Sequence, residues 1–115
     1  MYDLLEDLNN KVMQLDTAVR RLKVSGTAAA EKERDYKILL SKETLRLRDE
    51  KMAVGLINIT IYGLPDVAKA RFERDIAQTV YDANKEAINS LKLQIKILNE
   101  QIQREWGNPR TGTGS

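Results

Sequence analysis

Neither histidine nor cysteine occurs among the 115 residues. Their absence excludes imidazole acid–base chemistry, thiolate nucleophiles, disulfides and the usual zinc ligand sets. It equally excludes the Glu-x-x-His pairs of di-iron bundles. Aromatic residues make up 5% of the chain, with one Trp and one Phe, so a thick globular core is not expected. No glycine-rich phosphate loop is present. No apolar run approaches the ~18–20 residues of a membrane span, and Asp3, Glu6 and Asp7 interrupt any leader-like start. These absences predict a cytoplasmic protein that is not an enzyme, takes no cofactor or metal and does not engage a membrane. Lys and Arg number 19 against 17 Asp and Glu, and a net charge of +2 is too small for the field of a dedicated nucleic-acid binder.

Charged residues, in contrast, reach 31%, and the apolar residues between them are spaced regularly. Leu5, Leu8, Val12, Leu15, Val19 and Leu22 alternate spacings of three and four, the seam of a packed helix. The same phase continues through Gly26, Ala29, Glu33, Tyr36, Leu40, Glu43 and Leu47. One helix over residues 2–52 is therefore predicted, with a break at Gly26 as the alternative. A second seam runs through Val67, Ala70, Arg74, Ala77, Tyr81, Asn84, Ile88, Leu91, Ile95, Leu98 and Ile102. Pro65 suits its first turn, so the second helix is expected over 65–106. The polar, Gly-rich 107–115 are expected to be a disordered tail.

Two long helices joined by a short connection pack antiparallel, which predicts an all-α, coiled-coil-like helical hairpin as a single domain over 1–106. Centring the fold on the connection pairs Leu47 with Ala70, Glu43 with Arg74, Leu40 with Ala77, Gly26 with Leu91 and Leu15 with Ile102. Large residues then face small ones, and opposite charges meet.

Further apolar residues remain outside this seam: Ile38, Leu45 and Met52 on the first helix, with Phe72, Ile76, Val80 and Ala83 on the second. A two-helix hairpin cannot bury them. They predict a homodimer that completes a four-helix bundle at the connection end. The connection, residues 53–64, holds the most β-branched stretch of the chain, "GLINITIYGLPD". It reads as a short helix or an irregular bend. Leu56, Ile57, Ile59, Ile61 and Tyr62 are expected either to cap the dimer core or to form a docking surface for another protein.

Two nucleic-acid readings are weaker. Arg20, Arg21, Lys23, Lys92 and Lys96 would form a phosphate-binding patch in the expected register, though no aromatics interleave to stack bases. The connection also mimics a helix-turn-helix, with Lys69, Arg71 and Arg74 as contacts, but a reading helix does not normally begin a rod of this length. Asp49 and Glu50 in "RDEK" project in different directions from consecutive helical positions, which suits surface charges better than a metal site.

The segments "LRLRDEKM", "FERDIA", "EAINSLKLQI" and the terminal "REW" resemble a family of small, mostly uncharacterised helical proteins encoded by phages and prophages of Gram-positive bacteria. The resemblance covers residues 31–106. It implies a protein of a phage-infected or lysogenic bacterial cell that binds phage or host machinery. It also implies two alternatives: an anti-defence inhibitor of a bacterial nuclease, comparable with inhibitors of CRISPR effectors, or an accessory DNA- or RNA-binding protein in replication.

Overall fold

The computed structural model describes residues 3–106, and the expected tail, 107–115, lies outside them. The described residues form three α-helices and no strand: α1 (Leu4–Asp49), α2 (Val54–Thr60) and α3 (Pro65–Trp106), with one turn of 3₁₀ helix over Ile61–Gly63. The fold is all-α. Both long helices contribute to two compact units, a terminal unit (residues up to Leu22 with those from Ala83 onward) and a central unit (residues 23–82).

Helix α1 starts where Asp3 caps it, its Oδ1 accepting the amides of Leu5 at 3.0 Å and Glu6 at 3.2 Å. Two of the otherwise unpaired first-turn donors are thereby satisfied. Glu6 and Asp7 in the first turn and Arg46 and Arg48 in the last oppose the helix dipole. The helix continues unbroken through Gly26. Packing explains that residue, because a Cβ there would lie 3.1 Å from Cε1 of Tyr81. Glycine thus opens a slot that the ring occupies.

The chain reverses immediately after α1, earlier than the sequence pattern suggested. Lys51 adopts a left-handed φ of 62°, the Met52 amide donates to the Leu47 carbonyl at 3.1 Å, and the Lys51 amide donates to Arg48 at 2.9 Å. This pair of bonds is a Schellman motif, in which the residue after the reversal packs on the last turn of the helix. Met52 duly packs against Leu47, Ile57 and Ile61, a cluster at most 4% exposed, joined by Leu40 and Leu64. Burying each such side chain contributes about 1.5–3 kcal/mol. Leu64 is extended (φ −64°, ψ 131°), as a residue before proline should be, and Pro65 opens α3.

Consequently α2 belongs to the returning arm, which moves the hairpin register of the central unit. Arg74 lies beside Glu33 (3.6 Å) and over the Tyr36 ring (4.5 Å), whereas the Glu43 carboxylate expected there is bound by Arg46. Gly26 faces Tyr81 in place of the expected Leu91, and Leu47 is buried by Ile57 and Ile61 in place of Ala70. In the terminal unit the Asn84 amide donates to the Arg21 carbonyl at 3.5 Å. Partners on α3 thus sit roughly a heptad and a turn nearer its start than the centred register places them. Seam membership holds at Ala29, Tyr36, Leu47, Val67, Ile88 and Leu98, which are buried, but Leu5 and Val12, expected in the seam, are 40% and 48% exposed, and Ser25, outside the expected phase, is buried.

Two stability effects follow. Lys51→Gly removes left-handed strain and should raise the unfolding free energy by about 0.5–1 kcal/mol, read as a higher urea midpoint. Gly26→Leu overfills the Tyr81 slot and should cost about 1–3 kcal/mol, read by the loss of thermal stability in circular dichroism.

Candidate functional site

Three exposed apolar surfaces mark the central unit. The first lies on α1. Counting 100° per residue from buried Tyr36, Ile38 and Leu45 fall roughly 180–200° around the helix, on the side away from α3. They are 60% and 57% exposed. The second lies on α3, where Phe72, Ile76 and Val80 stand roughly 160–240° around from Arg74, on the side away from α1. Phe72 is 65% exposed. The third is the connection itself. Ile57 and Ile61, one turn apart on α2 and the 3₁₀ turn, point inward; Val54, Leu56, Ile59 and Tyr62 point out, and Ile59 is 77% exposed.

Of the residues expected at an interface, Met52, Ile57 and Ile61 are therefore engaged by the protomer's own core, while Ile38, Leu45, Leu56, Ile59, Tyr62, Phe72, Ile76 and Val80 are exposed. Val54 joins them at 70% exposed, although its helical angle lies close to those of Ile57 and Ile61. Elsewhere Val24, Leu93 and Ile97 are exposed apolar residues that no expected stripe contains.

No charged side chain interrupts Met52–Pro65. Both signs stand on each flanking helix, Asp49 closing α1 and Lys69 and Arg71 standing in the first two turns of α3. On α1 between Lys37 and Arg48, the bases Lys37, Lys42, Arg46 and Arg48 face one acid, Glu43. On α3 between Phe72 and Asp82, the acids Glu73, Asp75 and Asp82 accompany one base, Arg74. Ion pairs within the protomer trim both: Lys32 with Glu73 at 3.2 Å, Arg74 with Asp75 at 2.8 Å, and Arg46 with Glu50 at 2.9 Å. The hydrogen bond to Asp75 raises the Arg74 guanidinium above its ordinary pKa, and the bond to Glu43 does the same for Arg46. Both remain cationic at any physiological pH. Arg71 lies over the Tyr62 ring at 5.5 Å and covers one side of the connection.

The expected phosphate-binding patch does not assemble. Arg20 is paired with Asp16 at 2.8 Å, and the Arg21 backbone is level with Asn84. Lys92 and Lys96 stand further along α3, about 12 and 18 Å of helix rise from Asn84. Arg74, one of the helix-turn-helix contacts considered, faces Glu33 and Tyr36 within the seam.

The groove over Met13, Thr17, Ala18, Arg21, Ala87 and Leu91 in the terminal unit holds about 390 Å³ and opens widely to solvent. Among the described residues no group of three or more acidic, His or Cys side chains could hold a metal ion, and no helix is long and apolar enough to cross a membrane. No protein-family model, curated protein or solved structure matches the chain.

The inward and outward faces of the connection separate cleanly under substitution. Ile57→Asp buries a charge in the Leu47 cluster and should destabilise the protein by more than about 3 kcal/mol. Ile59→Asp, two residues away, should change stability by less than about 0.5 kcal/mol. Comparable losses from both, measured by urea unfolding, would contradict the inward placement of Ile57.

Proposed function

We propose that this chain is a non-enzymatic interaction protein that self-associates through the exposed apolar residues of its central unit. One observation carries the reading: Ile38, Leu45, Ile59, Phe72, Ile76 and Val80 are 49–77% exposed on a scaffold whose own core is narrow. Soluble proteins rarely leave this much apolar surface in water unless another surface covers it. The scaffold holds no convergent set of acid, base and nucleophile, and its grooves are open, which favours binding over catalysis.

The likeness of "LRLRDEKM", "FERDIA" and "EAINSLKLQI" to small phage- and prophage-encoded proteins supports a setting in the bacterial cytoplasm. There the uncharged connection would engage a component of phage or host machinery. The dispersal of Arg20, Arg21, Lys92 and Lys96 weighs against nucleic acid as that partner.

Sedimentation equilibrium from low to hundreds of micromolar protein tests the self-association. The mass should rise with concentration above the 13.1 kDa of one chain. A constant 13.1 kDa across the range would rule it out.

A further inference from the structure

The heptad seam of α1 does not stop where the helix does. Leu40, Glu43 and Leu47 step on through Glu50, Val54, Ile57 and Ile61 with spacings of three and four, in one phase across the reversal. On a continuous helix Tyr36, Leu40, Leu47, Val54, Ile57 and Ile61 would share an arc of roughly 100°. The hairpin uses this pattern incompletely. Ile57 and Ile61 fold back onto Leu47, but Val54, in the same phase, is left 70% exposed.

The break itself runs against local preference. Only residues 50–53, Glu-Lys-Met-Ala, lie between α1 and α2, and all four are good helix formers. No glycine or proline occurs between Gly26 and Gly55. Lys51 nevertheless takes a left-handed φ of 62°, a costly conformation for a residue with a side chain, and Ala53 is extended with a ψ of 141°. Returning this short segment to helical dihedrals would join α1 to α2. Glu50, the one charged residue that the joining adds to the seam, is held by Arg46 one turn earlier at 2.9 Å, a pair that a continuous helix keeps.

We propose that residues 50–53 are a hinge with two settings: the reversal, and a straight form in which α1 runs on through α2 while α3 packs on the α1 of a second copy. The hairpin's own contacts select that occupant. An exchanged α3 meets α1 through the same pairs that close the hairpin, Gly26 with Tyr81, Tyr36 and Glu33 with Arg74, and Lys32 with Glu73, so no new complementarity is required. The two straightened segments then run antiparallel across a two-fold axis, where Val54, Ile57 and Ile61 of each copy cover those of the other. The exchange relieves the left-handed residue and buries Val54, and it gives up the packing of Met52. It uses neither outer stripe, so it stands apart from the self-association proposed above.

Isotope labelling tests which chain supplies α3. Labelled and unlabelled chains in equal amounts are unfolded together in urea, refolded at high concentration, and the dimer fraction is isolated by size exclusion. A carbodiimide then joins amine to carboxylate where the two touch, and Lys32 Nζ lies 3.2 Å from Glu73 Oε2. The dimer should yield Lys32–Glu73 linked peptides with one labelled and one unlabelled half. Lys51→Gly favours the reversal and disfavours a continuous helix, so it should lower the yield of such mixed peptides about tenfold or more while helix content is kept. A dimer whose linked peptides are each wholly labelled or wholly unlabelled would overturn the exchange and leave self-association standing. Mixed peptides at the wild-type yield in Lys51→Gly would overturn the hinge, and the absence of any dimer would overturn the exchange and the self-association together.

Discussion

The reversal at Lys51 sets the position of everything that follows it. Once the Met52 and Lys51 amides close on Leu47 and Arg48, the next eleven residues must run back along the end of α1, and Ile57 and Ile61 are delivered onto Leu47. That contact fixes which turn of α3 meets which turn of α1. The ring of Tyr81 then reaches Gly26, and the guanidinium of Arg74 reaches Glu33 and Tyr36. A left-handed residue without glycine is tolerated because three buried side chains hold the turn from the other side.

A pair of helices has one inside and two outsides. In this chain the inside takes small, aromatic and polar residues in turn: Gly26, Tyr36, Glu33 and Arg74 lie along it beside Leu47 and Val67. Much of the aliphatic side-chain area consequently faces outward, on Ile38 and Leu45 of one helix and Phe72, Ile76 and Val80 of the other. The self-association proposed above would cover these two outward-facing edges.

Much of this could be read from residue spacing, and the unread part has a definite cause. The three-four alternation identified Ala29, Tyr36, Leu47, Val67, Ile88 and Leu98, because burial on a helix follows angle, but it passed over buried Ser25 and placed exposed Leu5 and Val12 inside. Register does not follow from angle: a three-four seam meets its partner again after a shift of seven, or of ten where the three- and four-residue steps exchange, so the pairing of Glu43 with Arg74 is as regular as the observed one with Glu33. Deciding between them required the exact residue at which the chain turns. The centred register places the reversal in the middle of residues 53–64, whereas the turn falls at Lys51. The candidate surface shared that fate. Ile38, Leu45, Phe72, Ile76 and Val80 are exposed as their helical angle requires, whereas Met52, Ile57 and Ile61 turn into the protomer's own core because α1 ends before Met52 and the connection forms its own helix. The basic patch failed for the same reason, as it relied on the centred register.

The slot at Gly26 has one mechanical implication. An aromatic ring seated in the one gap on the facing helix works like a pin in a hole: lengthwise slippage would drive it into a Cβ-bearing neighbour. Pistons and ratchets built from paired helices depend on such slippage, so this region is suited to act as a strut, holding its two outer edges at constant separation.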